Sequence, residues 1–302
     1  MLVIGGGGQL GSKIIEQGHL NFDMYATYMT RPPPLTRSRI YRIDKTDVEG
    51  IQKLISDLSP QVVVDTAAIH NVDYCEVHKE EARTVNVIGT KNVAEACRRC
   101  SAGMVFLSTD YVFDGAKGNY CEDDPVNPIN YYGISKLEGE RVVEANCDNH
   151  IIVRPSVIYG WLASSLSESS SGKPLNFAMW LTMKLQSKES VTIVTDQYSS
   201  PTLSDSLAQI ILELCRTNAK GVYHVAGRTR LSRYEFAVAI ARKMGLDHSL
   251  ISPIETAHLK QMAARPMDSS LNVARVERTL GMTMPTVAEA LEVFDKQASI
   301  GR

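Results

Sequence analysis

The stretch Met1-Leu2-Val3-Ile4-Gly5-Gly6-Gly7-Gly8-Gln9-Leu10-Gly11 runs from four apolar residues directly into a glycine loop. Its order is that of a first strand, a tight turn and a first helix. Gly5 permits the turn, Gly8 lets the backbone approach a pyrophosphate, and Gly11 lets the helix lie close to the strand. The first amides of that helix, at Gln9 and Leu10, would face the anion. The stretch therefore predicts a dinucleotide-binding unit that uses these five residues.

Short apolar runs alternate with helical patterns through the first half of the chain. Runs at 23–28, 62–64, 104–107 and 151–153 predict strands, and a helical pattern covers about 80–99. This alternation is typical of parallel strands joined by crossover helices. Continuous apolar runs suit a sheet that is covered on both faces. We predict an α/β fold with a doubly wound parallel sheet of the Rossmann type and a smaller C-terminal α/β part.

The rhythm of strands and helices loosens after residue 155, which suggests two parts in the chain. We predict that 1–155 form the dinucleotide-binding domain and that 189–218 return to it. The remaining segments, 156–188 and 219–302, would form the substrate-binding part. Within it, 163–173 are polar and rich in serine, which predicts a mobile loop.

Composition narrows the class of function. The chain has 302 residues, 44% of them hydrophobic and 22% charged, with a formal net charge of -2. It lacks the basic excess that binding to a phosphate backbone requires, so no nucleic acid partner is expected. It has neither a charged leader nor a run of 18 apolar residues, so we expect a cytoplasmic protein without a membrane partner. Six cysteines at irregular spacing indicate reduced thiols, and no metal site is predicted.

The choice between the two dinucleotides depends on the end of the second strand, where an acidic residue would bind the ribose hydroxyl of NAD. Tyr28-Met29-Thr30-Arg31 stand there instead. A guanidinium suits a 2′-phosphate, so Arg31 favours NADP(H), with NAD(H) as the alternative. Arg37 and Arg39 are weaker candidates, and a solvated basic loop is the alternative for all three arginines.

Two further positions follow predicted strands. Asp44 is placed to accept a hydrogen bond from the adenine amino group. Ala67 and Ala68 end the fourth strand, where small side chains would let a cofactor lie against the backbone.

The segment 130–140 contains Tyr132 and Lys136 at the start of a predicted helix. Residues four apart share one helix face. An ammonium beside a phenol favours the ionised form of that phenol, whose ordinary pKa is about 10. The pair therefore predicts a device for proton transfer near neutral pH.

Taken together, several motifs resemble those of the extended short-chain dehydrogenase/reductases, and most closely the dTDP-4-dehydrorhamnose reductases. They are the glycine loop, Ala67-Ala68, Ser108-Thr109-Asp110-Tyr111-Val112-Phe113-Asp114-Gly115, the segment 132–140 and Arg265-Pro266. The resemblance spans about residues 1–293. It implies NADPH-dependent reduction of the 4-keto group of a nucleotide-linked deoxysugar in dTDP-L-rhamnose biosynthesis.

The resemblance also implies roles for single residues. Thr109 would hold the substrate carbonyl and Tyr132 would be the acid. Lys136 would lower the pKa of the phenol and grip the nicotinamide ribose. The positions expected near the substrate are Asn86, Asp110, Tyr111, Val157, Gln197 and Arg265. For Arg265 we expect a charge-assisted contact with the pyrophosphate of a sugar nucleotide, with a structural ion pair as the alternative.

One departure from the family pattern concerns the substrate. Bacterial members commonly place a tryptophan against the sugar where this chain has Val157. The regulatory β subunit of methionine adenosyltransferase also lacks that tryptophan, so a non-catalytic NADP-binding subunit is one alternative. An epimerase or dehydratase with tightly held NAD is another. A homodimer is an open alternative to a monomer.

Overall fold

A computed structural model of the chain describes residues 1–33, 39–162 and 176–300. The large sheet is built from the strands β1 (Leu2–Ile4), β2 (Tyr25–Tyr28), β3 (Arg39–Arg42), β4 (Val62–Asp65), β5 (Gly103–Leu107), β6 (His150–Arg154) and β11 (Gly221–His224). All of its neighbouring strands run parallel, in the order β11-β6-β5-β4-β1-β2-β3. The predicted doubly wound sheet is confirmed.

Helices cover both faces of this sheet. In chain order they are α1 (Gln9–Gly18), α2 (Val48–Leu58), α3 (Val72–Val77), α4 (Lys79–Arg83), α5 (Thr90–Arg99), α6 (Tyr131–Asn146), α7 (Phe177–Gln186), α8 (Ser204–Arg216), α9 (Arg233–Lys243), α10 (Ala274–Leu280) and α11 (Val287–Ile300). A π-helical segment, Thr84–Gly89, joins α4 to α5, so the helical pattern expected at 80–99 is present. No helix among the described residues is both long and apolar enough to cross a membrane.

The central strands of the large sheet are buried on both faces. In β1, Val3 packs into one hydrophobic cluster with residues of α1 and α8. Its neighbours Leu2 and Ile4 pack into another cluster, with residues of α2, α5 and α6. Successive side chains of a strand point to opposite faces, so a strand covered on both sides needs apolar residues at every position. This explains the continuous apolar runs in the sequence.

The smaller part contains three two-stranded sheets and a separate core. Its strands are β7 (Ile158–Tyr159), β8 (Val191–Val194), β9 (Tyr198–Ser199), β10 (Thr202–Leu203), β12 (Leu231–Ser232) and β13 (Ile251–Ile254), paired as β7–β10, β9–β12 and β8–β13. Tyr159, Phe236 and Phe294 lie at the centre of this core.

Two strands lie in a different part of the molecule from the one expected. We placed 189–218 with the cofactor domain, yet β8 pairs with β13 in the smaller part. We placed 219–302 with the substrate part, yet β11 is the edge strand of the large sheet, next to β6. Only α8 returns as predicted, because its apolar face packs against α1. The serine-rich stretch 163–173 lies outside the described residues.

Candidate active site

The strand order reverses at β1, which has β2 on one side and β4 on the other. Doubly wound sheets bind ligands in the crevice at the carboxyl ends of such strands. Gly5 follows β1 there with φ +84°, a conformation that glycine adopts without steric cost. A Cβ at Gly11 would lie 2.4 Å from the Gly5 carbonyl oxygen. The tight turn and the close approach expected at these glycines are therefore present.

The N-terminus of α1 is open toward the crevice. Its N-cap residue is Gly8, which provides no side-chain cap, and the first turn holds no acidic side chain. A Cβ at Gly8 would meet a single neighbouring atom, the Gly5 oxygen at 3.3 Å. The Gln9 amide nitrogen Nε2 is buried and has no hydrogen-bond partner among the described residues, while Leu10 is buried in the core. Uncapped amides and an unpaired donor fit a phosphate group.

The loop after β4 lies against the glycine turn. A Cβ at Gly5 would lie 3.1 Å from the Ala67 Cα atom. Ala67 and Ala68 are both half-buried. Asp44, after β3, uses one carboxylate oxygen to accept the Thr46 N–H at 2.9 Å. The structure therefore brings the predicted cofactor positions Asp44, Ala67 and Ala68 to the same sheet edge as the glycine loop.

Arg31 follows β2 and is half-buried. Within the described residues its guanidinium has no hydrogen bond and no ion pair. A Cβ at Gly7 would lie 2.0 Å from the Arg31 carbonyl oxygen, so the loop after β2 touches the glycine loop. An unpaired guanidinium beside this loop fits a 2′-phosphate. Arg39 instead donates to the Tyr25 hydroxyl at 3.2 Å, and Arg37 lies outside the described residues.

Helix α6 begins directly against the loop that follows β5. The Asn130 side chain caps the helix by accepting the Gly133 N–H at 2.9 Å, and it donates to the Ala264 carbonyl at 2.9 Å. A Cβ at Gly133 would lie 2.2 Å from the Tyr111 carbonyl oxygen, so only glycine permits this approach. The close contact places Tyr132 next to Thr109 and Tyr111.

The buried Thr109 lies beside the half-buried Tyr132. The interaction of the Thr109 side chain with the Tyr132 phenol lowers the phenol pKa. Burial acts more strongly and in the opposite direction, so the pKa of Tyr132 lies above its ordinary value of 10.0. The phenol therefore keeps its proton at neutral pH, which is the state that a general acid needs.

Lys136 lies one turn after Tyr132 and is 2% exposed. Its ammonium nitrogen lies 4.0 Å from the centre of the Phe106 ring. Burial, and then the charge of Lys45, lower the pKa of Lys136 to about 7. We expected Lys136 to lower the pKa of the phenol, but the net shift of Tyr132 is upward. Burial disfavours the charged form of both groups and is the largest cause of both shifts.

Asp110 is held by hydrogen bonds within the protein. It is 3% exposed, and its Oδ2 atom accepts hydrogen bonds from Ser156 at 2.7 Å and Ser269 at 2.6 Å. Its Oδ1 atom accepts from Thr109 at 3.1 Å. The carboxylate therefore joins the loop after β5 to the smaller part, and contact of Asp110 with a substrate stays a prediction.

Asn86 lies in the π-helical segment and is fully buried. Its amide nitrogen donates to the Ile69 carbonyl and to the Ser135 hydroxyl, both at 3.0 Å, and its oxygen accepts the Ile69 N–H at 2.9 Å. Both amide protons are used inside the protein. Asn86 therefore joins the loop after β4 to α6, and its predicted position near the substrate stays a prediction.

Gln197 and Arg265 both have partners within the protein. The Gln197 amide donates to Thr256 at 3.0 Å and to Gln261 at 3.1 Å. Arg265 binds Asp73 through two hydrogen bonds, of 2.8 and 2.9 Å, and this contact lowers the pKa of the Asp73 carboxyl. Arg265 therefore forms a structural ion pair, which was the alternative to the predicted contact with a sugar-nucleotide pyrophosphate.

Tyr111 lies beside Tyr132, with the two rings edge-on and their centres 6.1 Å apart. Burial raises the pKa of the Tyr111 phenol, and the charge of Arg233 partly offsets this. The Arg233 guanidinium lies 5.2 Å from the Phe177 ring centre. Val157 has φ +40°, which is a strained conformation for a β-branched residue. No motif in the sequence marked Arg233 or Phe177, because both come from the smaller part.

The sequence also did not predict two buried ion pairs beside the site. Arg154 and Glu140 form a bidentate pair, with distances of 2.8 and 2.7 Å, and Ser108 donates to the same carboxylate. Lys45 and Asp65 form the second pair, at 2.9 Å. The spacing 132, 136, 140 could have revealed Glu140, because it continues the same helix face.

A family model described as RmlD substrate binding domain matches residues 1–299. The chain belongs to this family.

Three proteins illustrate its similarity to known members and relatives. The probable low-salt glycan biosynthesis reductase Agl14 of Haloferax volcanii is 32% identical over 298 residues, covering 97% of this chain and 96% of that protein. Methionine adenosyltransferase 2 subunit beta of Xenopus tropicalis is 32% identical over 248 residues, covering 80% of this chain and 72% of the subunit.

The third is a crystal structure of dTDP-4-dehydrorhamnose reductase from Bacillus anthracis in complex with NADP. It superimposes with a TM-score of 0.83 at 29% identity, covering 97% of each chain. The resemblance read from the motifs is therefore confirmed at the level of the RmlD family.

Proposed function

We propose that this protein reduces the 4-keto group of a nucleotide-linked deoxysugar with NADPH, as a dTDP-4-dehydrorhamnose reductase does. The observation that carries the proposal is the interaction of Thr109 with the Tyr132 phenol, with Lys136 one turn later on the same helix, at the sheet edge where the glycine loop also lies. The similarity to the NADP complex of the Bacillus anthracis reductase supports the cofactor.

The residues that would hold NADPH fit its chemistry. The open start of α1 and the unpaired Gln9 amide suit the pyrophosphate, and the unpaired Arg31 suits the 2′-phosphate. When bound, the cofactor supplies a hydride to the ketone carbon. Lys136 would contact the nicotinamide ribose.

The protein itself supplies the proton. Tyr132 would donate its phenolic proton to the ketone oxygen, and Thr109 would hold that oxygen by a hydrogen bond. Because burial raises the pKa of Tyr132, the phenol is protonated before the reaction, as reduction requires. The positive charge of Lys136 would stabilise the phenolate that is left behind. Tyr111, whose ring lies against Tyr132, and Val157 would orient the sugar.

The direct test is to incubate the purified protein with NADPH and dTDP-4-keto-6-deoxy-L-mannose. We expect NADPH to be consumed in a one-to-one ratio with the ketone. The same sugar without its nucleotide, and the UDP analogue, would define how much recognition comes from the nucleotide. Absence of NADPH oxidation with every sugar nucleotide would overturn the proposal, and NAD retained through purification would instead indicate an epimerase or dehydratase.

A second candidate is a regulatory NADP-binding subunit. It is favoured by Val157, which replaces an aromatic wall with a small, strained residue, and by the similarity to methionine adenosyltransferase 2 subunit beta. Adding the protein to a methionine adenosyltransferase catalytic subunit would test it. A change in the kinetics of that subunit, with no sugar reduction, would favour this candidate.

A further inference from the structure

Lys45 is a buried lysine outside the proposed catalytic group. It is 4% exposed, and its ammonium nitrogen is bonded to three oxygens. It donates to Asp65 at 2.9 Å, to the Ala67 carbonyl at 2.6 Å and to the Thr90 hydroxyl at 3.2 Å. An ammonium has three protons, so every one of them has a partner. A buried ion pair of this kind adds little net stability compared with apolar residues of the same size.

The Lys45–Asp65 pair joins the two loops that face the cofactor site. Asp65, at the end of β4, also accepts the Ala67 N–H at 3.1 Å. On the other side, the Asn92 amide of α5 donates to the carbonyls of Lys45 and Thr46, at 3.1 and 3.3 Å. The loop that contains Asp44 and the loop that contains Ala67 are therefore fixed to each other and to α5.

The same pair lies behind Lys136. Asp65 on β4 is the register partner of Phe106 on β5, and paired residues of neighbouring strands point to the same face. The Lys136 ammonium lies over the Phe106 ring. Lys45, Asp65, Phe106 and Lys136 therefore follow one another across one face of the sheet.

We propose that the Lys45–Asp65 pair is a positioning unit for Lys136, which it supports through two compensating charges and through the Ala67 carbonyl. The inference rests on the catalytic role given to Lys136 in the proposed function. Lys45 holds the Ala67 carbonyl in the loop after β4, and Asp65 prevents the buried Lys45 from repelling Lys136 without compensation.

The two partners act on Lys136 with opposite sign. The charge of Lys45 lowers the pKa of Lys136, and the charge of Asp65 raises it. The other ionisable groups that face Lys136 are Glu140, on its own helix and paired with Arg154, and Cys75 on α3. Removing Lys45 alone leaves the Asp65 carboxylate uncompensated, so the pKa of Lys136 should rise. Removing both partners should return it toward the original value.

The experiment follows Lys136 directly, by NMR of the full chain with lysine labelled at the ε carbon. The Lys136 resonance is assigned by its loss in Lys136→Met. We expect Lys45→Met to raise the Lys136 titration midpoint by about one pH unit. The double variant Lys45→Met/Asp65→Asn should titrate close to the unmodified protein. Thr90→Val removes an uncharged partner of the same ammonium and serves as the matched control, with no shift expected.

Lys45→Gln is a second variant, because its amide can still donate to Asp65 and Ala67 if Lys45→Met does not fold. It should raise the midpoint in the same direction. An unchanged or lowered midpoint in the single variants overturns the proposal, and so does a double variant that shifts as far as Lys45→Met. The measurement needs no substrate, so a protein that fails to reduce any sugar but shows these shifts would disprove the proposed function and leave the positioning unit intact.

Discussion

The cofactor side and the substrate side of this protein differ in whether their polar side chains have partners within the protein. On the cofactor side several polar groups have no partner within the described residues: the Gln9 amide nitrogen lacks one, and Arg31 has neither a hydrogen bond nor an ion pair. On the substrate side, Gln197 and Arg265 are bound to other side chains. Those bonds join residues that are far apart in the sequence.

This difference separates residues that are available to a ligand from residues that hold the two parts together. A buried polar group without a partner costs free energy, so an unpaired donor at a crevice indicates where a ligand would bind. A bidentate arginine–carboxylate pair is already satisfied. The contrast therefore gives a direct expectation for each residue type: substitution of the unpaired groups should affect binding or catalysis, and substitution of the paired groups should affect stability.

The largest effect is expected for Tyr132→Phe, on the cofactor side. Loss of a general acid typically lowers the rate by about 10²–10⁴-fold, whereas NADPH affinity should be retained because the phenol is not part of the glycine loop. Steady-state kinetics and cofactor titration would measure the two separately. Tyr131→Phe, one residue earlier on the helix, is the matched control and should keep its activity. Equal loss of turnover and cofactor binding would contradict the role of Tyr132.

The next largest effect is expected for Glu140→Gln, which removes one partner of a paired and buried group. Arg154 would remain as a buried, uncompensated charge, so the free energy of unfolding should fall by about 3–5 kcal/mol. Denaturant unfolding would measure this loss. Glu213→Gln, in the exposed pair with Arg216, should change stability by less than about 1 kcal/mol. Similar losses in the two variants would refute the distinction between buried and surface pairs.

Lys136→Met should give the opposite result, a gain in stability from the substitution of a site residue. The pKa of Lys136 is about 7 in the folded chain, below the ordinary value of 10.5. The lowered pKa of Lys136 therefore reduces the free energy of unfolding. This reduction is complete below pH 7 and disappears as the pH rises toward 10.5. One pKa unit corresponds to about 1.4 kcal/mol, so the variant should be about 2–4 kcal/mol more stable near pH 6, after some loss of packing.

Thermal unfolding at several pH values would test this gain. The stability difference between Lys136→Met and the unmodified protein should shrink steadily from pH 7 to pH 10. Lys184→Met, at an exposed lysine, should show no such dependence on pH. A lysine variant that is less stable at every pH would mean that Lys136 contributes to the fold as the paired residues do.

The smallest effect is expected for Arg31→Ala. A hydrogen bond to a charged group is worth about 1.5–3 kcal/mol, so NADPH affinity should fall by about 10–100-fold while NADH affinity stays the same. Arg39→Ala is the comparison, because that side chain already has a partner in Tyr25. Equal effects on both cofactors would show that Arg31 does not contact the 2′-phosphate.

The sequence was a good guide wherever a short segment makes its own geometry. Gly5 and Gly11 belong to one short segment that joins β1 to the start of α1, and Tyr132 and Lys136 lie on one helix face. Spacing alone therefore predicted their arrangement. It did not predict the internal hydrogen bonds of Asp110 and Asn86, because a polar residue in a site motif has the same letter whether it contacts a ligand or supports the loop beside it. Their hydrogen bonds reach Ser269 and Ser135, at distances in the chain that no local pattern records.

The parallel sheet, the cofactor crevice and the spacing of the proton-transfer pair could be predicted from the residues alone, because each depends on local periodicity and on the backbone freedom of glycine. The charge state of that pair depends instead on tertiary contacts. Burial raises the pKa of Tyr132 and lowers that of Lys136, and burial depends on what the rest of the chain places around them. The same holds for the joining of β11 to the large sheet and for the Lys45–Asp65 pair, since both result from contacts between distant segments.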